Sequence, residues 1–481
     1  MGRKTPPGFL LLLIGAAILV LPGCRGKGHP PLEPASRFSF TGTERTRELG
    51  IYSGNLRVGD LRFSVRDGTW DGSIHTTEWT ESVSLRLSFR DQEFSINSEQ
   101  TAWVGPDLDL LGSVGTMDFG AGKWETRSVA VGDGRYEVTR STFDRPKREG
   151  MVVPEGTLVS DVLPLFLHRQ PAEEGVREEL VVFNMNLGQE LPFTWTYGGQ
   201  TALGRLFTVT YWGMEEKIWL DPEGMVVREE MLLGVQARTP SGKERRGALA
   251  LETVLAGTAV PGVGIPEDIA DRREITLLLE GAFHTPPTGK WQDVKVDGDR
   301  ALVRLSRPTV GLPGERGPDP GMMPPDVFAL DLDSARIQEL SARITKGVTD
   351  PWEKALAIAR WVNRNLGKSM RDSFSALQVL EAGEGECQSH SLLTVALFRA
   401  AGLPARFAYG VVYVPEKGSF LFHTWVEVHA GGWIPVDPTL GYFPSGVDHL
   451  TLAVGSYRDQ FRIFPFIMGR GGWRISLADS P

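Results

Sequence analysis

Cysteine and positive charge are both scarce in this chain. Only two cysteines, Cys24 and Cys387, occur among 481 residues, which excludes a fold built on a disulfide framework. Lys and Arg number 51 against 60 Asp and Glu, for a formal net charge of −9. Binding to phosphates needs a basic surface, so this balance argues against nucleic acid as a partner. The chain is also too long for one ordinary core, and two or three domains are expected.

Metal-binding patterns are missing as well. His75, His168 and His284 are isolated in the sequence, and no HExxH motif or paired metal spacing accompanies them. No Asp-rich loop has the ligand spacing of a calcium site. The sequence therefore predicts neither a metal nor a cofactor.

The N-terminus lacks an apolar run long enough to cross a membrane. Arg3 and Lys4 precede a short apolar stretch at 9–21, the pattern of a signal peptide over residues 1–23. The following Leu-Pro-Gly-Cys at 21–24 resembles the bacterial lipobox, which implies that Cys24 is lipidated and becomes the mature N-terminus. A plain secretory signal or a short membrane anchor is the alternative. Residues 24–36, rich in Gly and Pro, are predicted to be a tether.

Lipidation at Cys24 implies an exported protein held in the bacterial cell envelope, with the membrane as a partner through the lipid. Arg25 is not the acidic residue that retains a Gram-negative lipoprotein at the inner membrane, so the outer membrane is favoured by this resemblance. Cys387 would then be the remaining thiol of an exported protein. A lone thiol in an oxidising compartment is a candidate reactive group.

Residues 37–310 are predicted to form an antiparallel β region, because apolar and polar residues alternate along segments such as 83–89. Asp-Gly pairs at 67–68, 71–72, 133–134 and 297–298 predict hairpin turns. The region is long enough for two units divided near 145–155. It resembles curved sheets of envelope lipoproteins that cradle acyl chains, and a structural or protein-binding β domain is the alternative. Residues 311–325, rich in Gly and Pro, are predicted to be a linker.

Residues 326–481 are predicted to open with helices and then change to strands. Asp333 or Ser334 can cap a first helix, and Asp350 followed by Pro351 is a strong start for a second. An apolar helix is then expected from Cys387 to about residue 401. At a helix N-terminus, unpaired N–H groups and the dipole favour a thiolate and can hold an oxyanion, although Glu384 and Glu386 oppose a thiolate. A small buried core residue is the alternative for this cysteine.

Two further groups fall on predicted neighbouring strands. His423 lies on a strand over 420–429, and Asp437 follows a strand over 433–436. On antiparallel strands the two side chains are within diagonal reach. A carboxylate bonded to one imidazole nitrogen fixes the tautomer, so that the other nitrogen can take a thiol proton.

Four motifs together resemble bacterial transglutaminase-like domains over about residues 333–454: GECQSHS at 385–391, AAGLPAR at 400–406, HTWVEV at 423–428 and WIPVDPT at 433–439. The resemblance implies a C-terminal papain-like α+β domain, within an α+β multidomain chain. It also implies a triad in which Cys387 is the nucleophile, His423 the general base and acid, and Asp437 the orienting group. Members of the family include amide cross-linkers, peptidases, deamidases and inactive modules.

The motif departs from many relatives in one position. Where they have Cys-x-Glu-His-Ala, this chain has Cys-Gln-Ser-His-Ser, so His390 is kept and the acid before it is not. Gln388, His390 and Trp425 are candidates for groups that support the triad. Relatives take a second oxyanion donor from an upstream side chain, and Trp361 is the candidate here. Asp448-His449 resembles a recurrent feature of these domains, with no role that the sequence alone assigns.

The sequence thus predicts an envelope-anchored thiol enzyme that acts on amide bonds of a protein or peptide through an acyl-thioester. It would be a cysteine peptidase or amidase, or an acyltransferase acting on protein glutamine. Hydrolysis is favoured over cross-linking, because no amine-acceptor site is identifiable. The main alternative is a non-catalytic lipoprotein that binds lipid or protein and carries a vestigial triad. Zinc binding by Cys387, His423 and Asp437 is a third, weaker hypothesis.

Overall fold

A computed structural model gives the fold of this protein as two compact units that meet in the chain at Val254 and Leu255. The structure describes residues 33–89, 92–118, 123–142, 145–154, 157–171, 173–185, 189–211, 214–231, 234–250, 258–281, 285–310, 330–369, 373, 375–463, 466 and 473–478. The predicted signal peptide, Cys24, the linker over 311–325 and His284 lie outside these residues. No helix in the described ranges is long and apolar enough to span a membrane.

The N-terminal unit is a large β region, as expected. Its one α-helix among the described residues is α1 (Leu163–Arg169). Its strands are β1 (Phe38–Ser53), β2 (Leu56–Trp70), β3 (Ile74–Phe89), β4 (Gln92–Val104), β5 (Leu110–Asp118), β6 (Lys123–Gly132), β7 (Arg135–Thr142), β8 (Arg145–Val152), β9 (Leu158–Val159), β10 (Arg177–Asn184), β11 (Gln189–Thr201), β12 (Gly204–Tyr211), β13 (Met214–Leu220), β14 (Val226–Glu230), β15 (Val235–Arg238), β16 (Arg245–Arg246) and β17 (Leu249–Ala250).

These strands form one mainly antiparallel sheet, in which only the short strands β9, β16 and β17 pair in parallel among the described residues. Strands β1 to β8 pair in chain order, β10 to β15 do the same, and β15 returns to pair with β1. The suggested division near 145–155 does not separate two units. Val138, Met151, Val159 and Phe183, which lie on both sides of it, share one hydrophobic core.

Three of the four Asp-Gly pairs are turns and one is not. The pairs at 71–72 and 133–134 have positive φ at both positions, and Gly298 has φ 60° between two strands. Gly68 instead lies inside β2, opposite Phe40 of β1. A Cβ at Gly68 would lie 2.3 Å from the carbonyl oxygen of Ser39, so the glycine there permits close backbone packing.

The C-terminal unit combines helices with a second sheet. Its helices are α2 (Ala335–Ile344), α3 (Pro351–Asn365), α4 (Ala376–Ala382) and α5 (Cys387–Ala400). Its strands are β18 (Val260–Val263), β19 (Glu274–Glu280), β20 (Gln292–Asp297), β21 (Arg300–Ser306), β22 (Gly367–Lys368), β23 (Glu384–Gly385), β24 (Ala405–Val414), β25 (Ser419–His429), β26 (Trp433–Val436), β27 (His449–Gly455) and β28 (Arg474–Leu477).

The sheet of this unit begins earlier in the chain than the predicted boundary at 310. Its strand order is β20-β21-β19-β28-β18-β25-β24-β27, with β26 paired to β25. Strand β18 hydrogen-bonds to β25, with Val260 opposite Phe420. It therefore covers one edge of β25 in the predicted domain. Strands β18–β21 therefore belong to the C-terminal unit, because the edge of β25 takes its partner from them.

The helices begin where the sequence indicates. Asp350 caps α3 by accepting the N–H of Glu353 at 2.9 Å, with Pro351 in the first turn. Helix α2 starts after Ser334, although the Ser334 side chain makes no capping bond. Helix α5 is buried on every side from Cys387 to Phe398. A helix that is buried all round is the central element of its core.

Candidate active site

Cys387 is the first residue of α5, and a short ladder fixes the chain that leads to it. Gly367 and Lys368 pair in parallel with Glu384 and Gly385, directly before the helix. The Cys387 thiol is 1% exposed. Its Sγ lies 3.8 Å from Oε2 of Glu386, within reach of an S–H···O hydrogen bond. The first N–H groups of a helix have no acceptor within the helix.

The face of α5 that carries Cys387 packs on β25. Ser391, one turn further along the helix, donates from Oγ to the carbonyl oxygen of Thr424 at 3.1 Å. Residues four apart lie above one another on a helix face, so Cys387 and Ser391 face the same strand. Thr424 is the neighbour of His423 in β25. The N-terminal part of α5 is therefore packed on the strand that carries His423.

Asp437 is held at the end of β26 by a tight turn. The carboxylate Oδ1 accepts the backbone N–H groups of Thr439 at 2.7 Å and Leu440 at 2.9 Å. Val436 lies opposite Val426, so continuing the register places Asp437 diagonally across from His423. The side chains of His423 and Asp437 are in contact, as expected for diagonal neighbours. Nε2 of His423 and Oδ2 of Asp437 are 2.7 Å apart, and both side chains are fully buried.

This hydrogen bond determines which nitrogen of His423 is available to accept a proton. The carboxylate can only accept, so the proton is on Nε2 and the lone pair is on Nδ1. Among the described residues, Nδ1 of His423 has no hydrogen-bond partner, and it is buried. An imidazole with this tautomer, beside a helix that begins with a cysteine, can accept a thiol proton through Nδ1.

His449, to which the sequence assigned no role, also binds Asp437. Its Nε2 is 3.1 Å from the same Oδ2, and its Nδ1 is 2.9 Å from Oδ1 of Asp448. Burial by itself would raise the pKa of Asp437, but the imidazoles of His423 and His449 hold it well below its usual range. Burial likewise opposes charge on His449, yet Asp448 and Asp437 together raise its pKa to about 10.

The adjacency of Asp448 and His449 was the one sequence signal for this pair. It could not show the link to Asp437, because β27 pairs with β24 and not with the strand that precedes Asp437. Only the tertiary fold brings the two strand ends together.

The four candidate supporting residues have different surroundings. Gln388 donates its amide N–H groups to Oε1 of Gln460 at 3.0 Å and to the hydroxyl of Tyr457, which ties α5 to the short 3₁₀-helix over Tyr457–Ile463. Trp361 lies on α3, half-buried, and its oxyanion role stays a prediction.

His390 and Trp425 lie closer to the triad. His390 donates from Nδ1 to the carbonyl oxygen of Glu386 at 2.8 Å, and burial lowers the pKa of His390. The indole of Trp425 is stacked beside His423, with ring centroids 6.1 Å apart, and meets the edge of His449 at 5.1 Å. Trp425 therefore restricts both imidazoles. A Cβ at Gly410 would lie 2.8 Å from its ring, so glycine is needed beneath it.

Three residues of this site form the one group of potential metal ligands among the described residues. Ligand atoms of His423, Asp437 and His449 lie within 4.8 Å of one another. Tetrahedral zinc, with ligand bonds of about 2.0–2.2 Å, keeps its ligand atoms about 3.3 Å or more apart. The 2.7 Å between His423 and Asp437 is a hydrogen-bond distance, so a metal would have to displace that bond.

Comparison with known proteins agrees with the motif resemblance. Residues 338–438 match the family model of the transglutaminase-like superfamily, so this part of the chain is a transglutaminase-like domain. The uncharacterized protein ML0607 of Mycobacterium leprae (strain TN) is 29% identical over 158 residues, which are 30% of this chain and 54% of that protein. The match thus spans about half the length of this relative.

Solved structures show lower similarity. A structure described as a "putative cysteine protease" from Cytophaga hutchinsonii has 18% identity, a TM-score of 0.27, and coverage of 42% of this chain and 83% of its own. A "beta-barrel-like" protein of a domain family of unknown function from Brucella abortus has 10% identity, a TM-score of 0.30, and coverage of 40% and 94%. TM-scores this low do not establish a shared fold.

Proposed function

We propose that this protein is a thiol enzyme that cleaves amide bonds through Cys387, His423 and Asp437. The observation that carries the proposal is the buried hydrogen bond from His423 Nε2 to Asp437, which leaves Nδ1 as the base beside the helix that starts at Cys387. The family match over residues 338–438 supports the same chemistry. A cysteine at a helix N-terminus, packed against a sheet that carries His and Asp, is also the papain-like arrangement.

The first half of the reaction forms an acyl-enzyme. Nδ1 of His423 takes the thiol proton, and the Cys387 sulfur attacks the carbonyl carbon of the amide. The tetrahedral oxyanion accepts hydrogen bonds from N–H groups in the first turn of α5. The imidazolium then gives its proton to the leaving nitrogen, the C–N bond breaks, and an amine departs from a thioester on Cys387.

The second half returns the thiol. His423 takes a proton from water, and the resulting hydroxide oxygen attacks the thioester carbonyl. The C–S bond breaks, the sulfur recovers a proton from His423, and a carboxylic acid is released. An amine in place of water would give a cross-link. Hydrolysis is favoured, because water is always available and the sequence identifies no dedicated amine-acceptor site.

Asp437 acts by orientation and charge. Two backbone N–H groups and two imidazoles occupy its oxygens, so the carboxylate cannot rotate away from His423. Because the pKa of Asp437 lies well below its usual range, it stays ionised and stabilises the imidazolium that forms during attack.

The envelope supplies the proposed substrates. If Cys24 is lipidated, the protein is tethered, most favourably at the outer membrane, and meets envelope proteins or the peptides linked to peptidoglycan. Incorporation of an alkyne-labelled fatty acid tests the anchor, with Cys24→Ala as the matched variant. Label on the wild-type chain alone is expected, and equal labelling of both chains would contradict it.

A second candidate function rests on the burial of the thiol. Cys387 is 1% exposed and lies beside the Glu386 carboxylate, which disfavours a thiolate. Both features fit a non-catalytic lipoprotein that binds lipid or protein and has a vestigial triad. Full cellular function in a Cys387→Ala strain would support this candidate.

A trapping experiment tests the enzyme. Full-length protein is incubated with envelope extract, quenched in acid and digested, and the Cys387 peptide is weighed by mass spectrometry. An acyl adduct on wild type that is missing from Cys387→Ala, and that accumulates in His423→Gln only slowly, is expected. No adduct on wild type, with the thiol intact, would contradict the proposal.

A further inference from the structure

Asp448 and His449 take no part in the proton transfer just described, yet they continue its hydrogen-bond chain. His449 lies between two carboxylates, with Nδ1 2.9 Å from Asp448 and Nε2 3.1 Å from Asp437. A carboxylate at each nitrogen requires an N–H at each nitrogen, so the ring is an imidazolium. All three side chains are buried, which strengthens their mutual attraction.

We propose that Asp448 and His449 are a positioning pair, in which a permanently protonated His449 holds Asp437 and draws negative charge away from His423. This inference rests on the proposed function, because it concerns how Asp437 serves His423. It assigns a role to a part of the sequence outside the family match, which ends at residue 438.

The charges explain why the pair matters. Asp437, His449 and Asp448 together carry one net negative charge, the same as Asp437 alone. The positive ring of His449 offsets the negative charge of Asp437. The net negative charge is therefore centred nearer to Asp448 and further from His423. The imidazolium form of His423 is therefore stabilised less than a lone, fully charged Asp437 would stabilise it. A less strongly held proton is easier to pass to the leaving amine.

Aromatic neighbours restrict the orientation of the His449 ring. Trp425 contacts it edge-on at 5.1 Å and Tyr442 at 5.9 Å between ring centroids. The titratable groups that contact the cluster or act on it are His423 of β25, His390 of α5 and Tyr442 after β26.

The first test measures the pH dependence of Cys387 alkylation by iodoacetamide in the full chain. In a thiolate–imidazolium pair, the rate has an upper inflection where His423 loses its proton. His449→Gln keeps a donor toward Asp437 but removes the positive charge, so this inflection is expected to move up by about one pH unit.

His429→Gln is the matched control, because His429 lies on the same strand as His423 and packs on Trp433 rather than on Asp437. A purely structural role for His449 would lower stability or rate and leave the inflection at its wild-type pH. An unmoved inflection in His449→Gln would overturn the proposal.

The second test does not depend on activity. Imidazole ¹⁵N shifts in histidine-labelled full chain, assigned by comparison with His449→Gln, report the protonation of His449. An imidazolium at pH 8.5 is expected in wild type and in Cys387→Ser, and conversion to the neutral ring below pH 9 is expected in Asp448→Asn. A neutral His449 at pH 8.5 in wild type would overturn the pair.

The two tests separate this inference from the proposed function. If wild-type Cys387 alkylates like an ordinary thiol with one inflection, the proposed function fails, and the NMR result alone decides the state of His449. If Cys387 is activated but His449 is neutral, the enzyme stands and the positioning pair does not.

Discussion

His423 and Asp437 are joined by a 2.7 Å hydrogen bond between Nε2 and Oδ2, buried from solvent on both sides. The bond forms because β26 pairs with β25 and the chain turns sharply after Val436. It leaves Nδ1 of His423 as the basic nitrogen and thereby sets the direction in which a proton can move.

Replacing Asp437 by Asn tests this bond. The amide would present N–H groups to the donors that now point at the carboxylate, and His423 would lose the partner that fixes its tautomer. We expect the rate of Cys387 acylation to fall by about 10³–10⁴-fold, the cost of the wrong tautomer in a triad. Asp293→Asn, an exposed carboxylate of the same sheet, is the control and should keep the wild-type rate. A loss below tenfold in Asp437→Asn would contradict the assignment.

The pH dependence of stability tests the charge on His449. Its folded pKa of about 10 lies above the ordinary value of 6.5, so its stabilisation is full below pH 6.5 and is lost as the pH rises to about 10. We expect the free energy of unfolding of the C-terminal unit to fall by up to about 4 kcal/mol across that window. Urea denaturation followed by tryptophan fluorescence measures it. His449→Gln should flatten the slope, and an equal slope in both proteins would contradict the prediction.

The N-terminal unit contains a carboxyl group whose raised pKa also lowers stability as the pH rises. Burial, together with the charge of Glu216, raises the pKa of Glu81 to about 7. A raised carboxyl pKa destabilises the folded state progressively as pH rises from about 4 to 7. We expect Glu81→Gln to increase the free energy of unfolding by about 1–2 kcal/mol at pH 8 and to leave it unchanged at pH 4. Glu99→Gln, on the exposed face of β4, should change neither value.

Truncation tests the observed division of the chain. A chain that starts at residue 258 keeps β18, which covers the edge of β25, whereas one that starts at residue 326 exposes that edge. We expect the longer chain to unfold cooperatively and the shorter one to aggregate or to lack a cooperative transition. Equal stability of the two would show that β18–β21 are dispensable.

The sequence predicted local features of the C-terminal domain well, since these depend on short-range patterns. The cap at Asp350, the start of α5 at Cys387 and the strands that carry His423 and Asp437 all follow from neighbouring residues. The assignment of β18–β21 failed because strand alternation does not reveal which sheet a strand joins. Likewise, Asp67-Gly68 has the sequence of a hairpin turn. Gly68 instead lies within β2 and lets the backbone of Ser39 pack closely against it.

His449 shows the same limit at the site. The bond to Asp437 joins residues on strands that are not neighbours in the sheet, so it depends on side chains that reach across the fold. No periodicity within either segment carries that information.

We propose that His423 makes Cys387 a nucleophile, and the alkylation rate of this thiol measures that effect. Full-length protein is treated with iodoacetamide between pH 5 and 8, and the Cys387 peptide is quantified by mass spectrometry. We expect alkylation at pH 6 to be at least tenfold faster than that of a model thiol, and this advantage to be lost in His423→Gln. A wild-type rate equal to that of the model thiol across the whole range would contradict it.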